Sequence, residues 1–396
     1  MTPRVPREAL LLFTLGAVQF VNILDFMMVM PLGPFYAVDL DVPSDRVAQV
    51  GAAYTGAAAV SGLLLSPLLD RFDRRVALGL AMLGLFLGTV LGGFANTLPQ
   101  LLASRVLAGI FGGPATALSL AIVTDLIPAA RRGEALGKVM GAFAVSSVLG
   151  VPMGLWFARH GGWRAPFFAV SGLGLAVGVL AIWVLPPMRA HLESRTPRRV
   201  IDVLLIPRVP AALLAVAGMT MASFSVIPSL PMFIQNNLSF PSDDFWKLYF
   251  VGGVCAFGML RLGGRLVDGG GAMRVAGLGT AFLALALGVV ALADPRIPPY
   301  LLFIAFMSGN SLRNVAWSAL ATRVPPPDLR AGYLSLQSAT QHAASAIGAL
   351  LSTWVLAPRA DGGVVGMEVL AGISLALFLL ALVPMAVVER GLGRMS

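Results

Sequence analysis

The sequence predicts an all-α integral membrane protein: twelve transmembrane helices in two six-helix bundles, with both termini cytoplasmic. Three observations carry this. The 396-residue chain is 57% hydrophobic and only 12% charged, more apolar surface than a water-soluble fold can cover. Apolar runs of about 20 residues, enough to span a bilayer, recur along the whole chain. Basic residues are distributed unevenly over the connecting loops.

The runs fall near 9–36, 47–69, 76–95, 101–126, 135–158 and 165–185. After a basic stretch, "PPMRAHLESRTPRRVIDVLLIPR", six more fall near 209–234, 246–267, 273–293, 299–322, 332–357 and 365–388. The chain thus divides into a bundle over 1–185, a cytoplasmic linker over 186–208 and a second bundle over 209–396. The first run follows Arg4 and Arg7 as a signal peptide would, but it is too long and lacks a small-residue cleavage site. It reads as a spanning helix. With the N-terminus inside, the outer loops hold Arg46, Arg159, Arg164, Lys247, Arg296 and Arg359, and the bilayer holds Arg105 and Arg313. The other 20 of the 28 basic residues are then on the inner side, which sets the orientation.

Several classes lack their chemistry. The single cysteine, Cys255, allows no internal disulfide, and no Cys/His cluster suggests a metal. His160, His191 and His342 are scattered, with no HExxH and no GxxxxGK[ST] phosphate loop, so a membrane transferase or ATP-driven pump finds no support. No cofactor is expected. No basic stripe with interleaved aromatics exists outside the apolar runs, so no nucleic acid is expected either. A non-transporting sensor or scaffold stays open, although the short loops offer a partner little to grip.

The two halves repeat one another. "SPLLDRFDRR" (66–75) ends the second run and "GGRLVDGGGAMR" (263–274) ends the eighth, while "TDLIPAARRG" from Thr124 matches "TRVPPPDLRAG" from Thr322. Asp70 and Asp125 stand at the C-terminal ends of their helices, where the helix dipole disfavours a carboxylate, so both want cationic partners elsewhere. The competing reading is solvated loop charge.

These motifs resemble those of the major facilitator superfamily, within it the 12-helix drug:proton antiporter family, including bacterial sugar and arabinose efflux permease-like members. "SPLLDRFDRR" is similar to the family signature G-x-L-x-D-R-x-G-R-R through Asp70, Arg71, Arg74 and Arg75, with Ser66 and Asp73 in place of its glycines. The second copy keeps Gly264, Asp268 and Gly271 but has Ala272 where Arg74 stands. The resemblance implies that Asp70 caps the eleventh helix and that Arg74 pairs with Asp125, together latching the halves in an outward-facing state. "SRVLAGIFGG" resembles the R-x-x-x-G signature through Arg105 and Gly109. "SSVLGVPMG" resembles the antiporter signature through Gly150, Pro152 and Gly154, its proline displaced by one place; Ser146, Gly150 and Gly154 also form a small-residue packing stripe. A major facilitator fold, a proton gradient as energy source, a bacterial inner-membrane location and a functional monomer follow as what the resemblance implies.

Ionisable groups inside a span are costly and mark function by default. Asp25 lies about 15 residues, roughly 22 Å, above the start of the first helix, and Arg105 can reach that level from the fourth. We expect Asp25 to bind the coupling proton with Arg105 tuning it; the competing reading is a static ion pair. On the tenth run, Phe306, Asn310, Arg313, Asn314 and Trp317 follow helical spacing on one face and read as a substrate surface. The competing reading has Arg313 bonded to backbone carbonyls or to Gln337, Gln341 or His342. Asn22, beside Gln19 on the first helix, and Phe224 on the seventh complete the candidate site. One acid against two bases favours an anionic, zwitterionic or neutral polar substrate. The expected function is proton-coupled export of a small polar, anionic or amphipathic molecule by alternating access, with proton-coupled import as the alternative.

Overall fold

The computed structural model describes residues 5–65, 72–128, 131–188, 203–294, 296–325 and 330–393. The long helices are α1 (Val5–Met28), α2 (Ala48–Leu64), α3 (Arg74–Gly93), α4 (Leu98–Leu126), the tract 132–161 (α5), and α6 (Ala165–Val184). They continue with α7 (Val209–Val226), α8 (Phe245–Gly270), α9 (Ala272–Leu292), α10 (Pro299–Ala321), α11 (Arg330–Val355) and α12 (Met367–Gly393). Among the described residues, nine helices are long and apolar enough to cross a membrane. The α5 tract, α10 and α11 pack alongside them but carry more polar residues, such as Glu134 and Lys138, Asn310 and Arg313, and Gln337 and Gln341.

Prolines correct two expected spans. The first does not run to residue 36: α1 ends at Met28, ahead of Pro31, and the chain turns into a short helix, Gly33–Asp39, opened by Pro34. The seventh does not run unbroken to 234 either. α7 ends at Val226, Pro228 lies in a turn, and Leu230–Met232 leads into a π turn at Phe233–Asn237. In α5 a π turn at Ser146–Gly150 precedes Pro152, whose ring and missing N–H disrupt the ladder one turn earlier.

α2 packs on α4, α4 on α3, α3 on α6 and α6 on α1; α9 packs on α10 and α12, α10 on α8, and α7 on α11 and α12. Between these two groups the main seams are α2 against α11 and α5 against α8. We call the end bearing Glu8, Arg74 and Asp125 the basal face and the opposite end the cap face.

One apolar core fills the first group and continues into the cap half of the second, through Val226, Phe233, Phe245, Leu302 and Phe378. The basal half of the second group has its own core, including Val209, Val216, Ala276, Leu312, Trp317 and Met385. The halves are therefore fused by burial toward the cap. There a two-stranded hairpin pairs Ala357 with Val365 and Pro358 with Val364. Asn236 donates to Gly362 O at 2.7 Å, and Asn237 brackets Val364 by donating to its carbonyl (2.8 Å) and accepting from its N–H (3.0 Å). Gly362 and Gly366 hold φ of 80° and 95°, which only glycine adopts cheaply. Across the seam the Ser44 hydroxyl donates to Gly363 O at 2.9 Å, and Arg159 lies 3.6 Å from Asp243.

Candidate functional site

The site is built where α4 lies unusually close to α2. A Cβ on Gly109 would sit 2.2 Å from Tyr54 O, and one on Gly112 would sit 2.2 Å from the Tyr54 hydroxyl and 2.8 Å from Asn22 Oδ1. The glycines after Arg105 thus create the space into which polar side chains of α1 and α2 fit. The Tyr54 hydroxyl donates to Asn22 Oδ1 at 2.6 Å. The Asn22 amide donates to Gly112 O at 2.7 Å and to the Thr116 hydroxyl. One turn toward the base, Gln19 donates to Ser119 Oγ at 2.8 Å.

Behind this layer, Asp25 and Arg105 form a fully buried pair. Arg105 Nη2 lies 2.7 Å from Asp25 Oδ2 and Nη1 3.1 Å from Oδ1, a forked geometry, with a further contact to Asp25 O at 3.3 Å. Thr89 of α3 donates to Asp25 Oδ1 at 2.7 Å. The two side chains are 0% and 1% exposed, so the desolvation each suffers is offset only by these bonds. The Arg105 guanidinium also stacks over the Tyr54 ring at 4.9 Å. Tyr54 stacks on Phe26 at 5.4 Å, and Phe26 meets Phe224 of α7 at 5.5 Å. A continuous path of rings therefore runs from the ionisable pair to the other half of the molecule.

Across the seam, Ser223 of α7 donates to Asn310 Oδ1 at 2.6 Å, and the Asn310 amide donates back to Phe306 O at 3.0 Å. The expected substrate face of α10 does not hold together beyond this. Arg313 turns away from α7 and α11: it passes over Gly279 to donate to Thr280 Oγ1 (2.9 Å) and Phe378 O (3.1 Å), its guanidinium 4.7 Å from the Phe378 ring. Asn314 is exposed on the outside of the bundle, and Trp317 is buried in the basal core. The spacing is right, but Arg313 leaves by the edge toward α9 and α12, Asn314 is exposed, and Trp317, about two turns nearer the base, packs into the basal core.

The remaining expectations divide in the same way. Arg74 Nε lies 3.1 Å from Asp125 Oδ2, without the alignment of a hydrogen bond. Asp70 and Arg71 lie outside the described residues, and Asp268 is exposed on α8. Ser146, Gly150 and Gly154 meet α1 in register: Ser146 donates to Phe20 O at 3.2 Å, a Cβ on Gly150 would lie 2.8 Å from Leu24, and one on Gly154 3.7 Å from Met28. Sequence reasoning missed Tyr54 and Thr89. Each had a signal, Tyr54 as the sole aromatic residue of α2 and Thr89 as the sole neutral polar side chain of α3. Among the described residues, no group of three His, Cys, Asp or Glu could hold a metal.

A model of the Major Facilitator Superfamily matches residues 15–349, most of the chain. The chain belongs to the major facilitator superfamily. It is a transporter of that superfamily and not an enzyme. It is 28% identical over 301 residues to the inner membrane transport protein YdhP of Escherichia coli strain K12, covering 75% of this chain and 74% of that one. It is also 28% identical over 302 residues to the chloramphenicol resistance protein of Streptomyces lividans, covering 75% and 76%. The fold matches a crystal structure of a D-xylose-proton symporter with a TM-score of 0.73 at 18% identity, over 95% of this chain and 96% of that one. A multi-pass membrane protein acting on a small molecule is the coarse result.

Proposed function

We propose that this superfamily member is a monomeric, proton-coupled exporter of a small polar or amphipathic molecule. In this reading twelve helices cross the bacterial inner membrane as two six-helix bundles, 1–185 and 209–396, with the basal face and both termini in the cytoplasm. The bundles rock about a site at their seam. The observation that carries the reading is the placement of Asp25: buried, forked to Arg105, and joined to the seam through the rings of Tyr54 and Phe26.

Protonation of Asp25 would release the fork, and Arg105 would then be free to bear on Tyr54 and, through it, on the Asn22 and Phe26 face. Proton occupancy and substrate occupancy become competitors for one network, which is what antiport requires. Burial fused toward the cap supports a state whose substrate entrance is basal; the Arg74–Asp125 pair, formed in this state, joins α3 to α4 within one bundle.

Arg313 serves α9 and α12, so it adds no positive charge to the seam. Amides, hydroxyls and rings remain: Gln19, Asn22, Phe26, Ser223, Phe224 and Asn310. That lining suits a neutral or weakly charged polar aromatic better than a permanent cation, and similarity to a chloramphenicol resistance protein supports export. The test uses everted membrane vesicles with an imposed proton gradient, acid inside, and a panel of neutral, acidic and cationic compounds. A neutral polar compound should dissipate the gradient with the wild-type chain and fail to do so with Asp25→Asn. Dissipation by lipophilic cations alone, or an unchanged response in the variant, would contradict the proposal.

A further inference from the structure

One face of α11 is polar and has no partner among the described residues. Gln337, Gln341 and Ser345 stand at i, i+4 and i+8, and Ser338 and His342 flank them on one side, so the five side chains share one strip about 12 Å long. None of the five side chains makes a hydrogen bond among the described residues. Gln337 and Ser345 are only 9% and 3% exposed, and Gln337 Oε1 and Ser345 Oγ are buried without a partner. Ser338, Gln341 and His342 are half-buried. Arg313, the cation considered as a partner for Gln337, Gln341 and His342, goes instead to Thr280 of α9 and Phe378 of α12. Buried polar groups without partners cost free energy, and native interiors rarely gather several of them on one face.

The contacts of α11 fix where this strip looks. A Cβ on Gly348 would lie 2.6 Å from Met221 O, so that edge of the helix faces α7; one on Gly56 of α2 would lie 3.7 Å from the Ala346 Cβ, so that edge faces α2. Ile347, Leu350 and Trp354 are exposed and mark the outer side. The polar strip lies between the α7 and α2 edges, opposite the outer side, where α11 also meets α4. It therefore lines the seam. Its depth follows from the same contacts, because a Cβ on Gly348 would also lie 3.1 Å from the Ser225 N, which sets Gly348 level with Phe224. The strip begins about one turn toward the base from there, below the contact between the Phe26 and Phe224 rings.

We infer that this face of α11 is the polar half of the substrate site, and that it selects a neutral aryl compound with a polyhydroxylated or amide arm. The ring lies against Phe26 and Phe224, and the arm runs toward the base along α11. This deepens the seam reading above and rests on it. Carboxamides, hydroxyls and a neutral imidazole each present both a donor and an acceptor, the pattern that the hydroxyls or amides of a ligand satisfy. The strip carries no carboxylate, lysine or arginine to hold a permanent charge. A bare aromatic would leave the strip unpaired, and a bare polyol would leave the rings uncovered.

The test is isothermal titration of the full-length chain in nanodiscs with phenyl β-glucoside, benzyl alcohol and glucose. No proton gradient is present, so a failure of the proton-coupled reading leaves this result untouched. Phenyl glucoside should bind about tenfold more tightly than either of the others. Gln341→Met and His342→Leu should each raise its Kd about fivefold, the loss of one net hydrogen bond, while His342→Asn, which keeps a donor and an acceptor, should retain most of the affinity. Because these groups have no partner within the protein, the apolar variants should unfold at the wild-type temperature or above it. Phenyl glucoside binding no tighter than benzyl alcohol, or a Kd unmoved when Gln341→Met and His342→Leu are combined, would overturn the proposal. So would a fall of several degrees in the unfolding midpoint of that double variant, which would give the strip a structural role.

Discussion

Two arginines lie buried in the body of the molecule, one in each half, and they are held in opposite ways. Arg105 is forked to a carboxylate, Asp25, which also accepts from the Thr89 hydroxyl, and its guanidinium lies over the Tyr54 ring; only its Nε finds no partner among the described residues. Arg313 has no carboxylate partner; it donates to a threonine hydroxyl and a backbone carbonyl, and its Nε and Nη2 find no partner among the described residues. In the proposed reading the first charge carries the proton coupling and the second ties α10 to α9 and α12. The first is a closed ion pair; the second is a cation held only by neutral acceptors.

Replacing each arginine by methionine should separate the two most widely. Arg105→Met strands Asp25 as a buried, unpaired charge, at a cost of about 3–5 kcal/mol. Arg313→Met removes a partly unsatisfied cation and keeps its volume, so the change should stay within about 1 kcal/mol. Thermal unfolding of the two purified variants in one detergent reads the contrast directly; equal losses would abolish it.

A smaller effect sharpens the first member of the pair. Gly112→Ala puts a methyl group where the Tyr54 hydroxyl and Asn22 Oδ1 meet, and overpacking of this kind costs about 1–3 kcal/mol. It should weaken substrate affinity as well as stability, because Asn22 belongs to the proposed seam. Gly309→Ala, at the α9–α10 contact beside Arg313, should cost as much stability and leave affinity unchanged.

Smaller still is Asn310→Ala, which removes the acceptor for Ser223 and with it about 1 kcal/mol. Its signature is a raised KM for a hydrogen-bonding substrate with no change in pH dependence.

The smallest effect belongs to the cap hairpin, which carries neither arginine. Arg359 hydrogen-bonds Asp361 and, with the Gly363 N–H, holds its carboxyl down to about 2. A depressed carboxyl stabilises the fold above its unfolded value, near 3.9, and loses that contribution as pH falls toward 2. The difference in thermal unfolding midpoint between the wild-type chain and Asp361→Asn should therefore be the same at pH 5 and pH 8. A marked pH dependence in that window would shift the coupling proton away from Asp25 and toward the cap.

Much of this was legible in the chain itself. Hydropathy placed the helices because a spanning segment has one dominant requirement, and the Asp25–Arg105 meeting followed from depth alone, both residues being charged and lying at one level. Four features escaped, and the first three for one reason: they depend on direction and not on depth. Arg313 shares a nominal face with Asn310, yet a long side chain on a helix contacted from several sides can leave by either edge. Tyr54 was passed over because its role comes from the glycines of another helix. The breaks at Pro31 and Pro228 were hidden inside apolar runs whose mean hydropathy does not register a turn. The hairpin 357–365 is too short and polar to leave any periodicity.

The central claim is that Asp25 couples the proton to transport and does not merely brace α1 against α4. The direct test is to reconstitute wild-type and Asp25→Asn chains and compare substrate exchange at equal pH with accumulation driven by a proton gradient. The account predicts that the variant keeps exchange and loses driven accumulation. A variant that still accumulates substrate with the wild-type dependence on pH would contradict it.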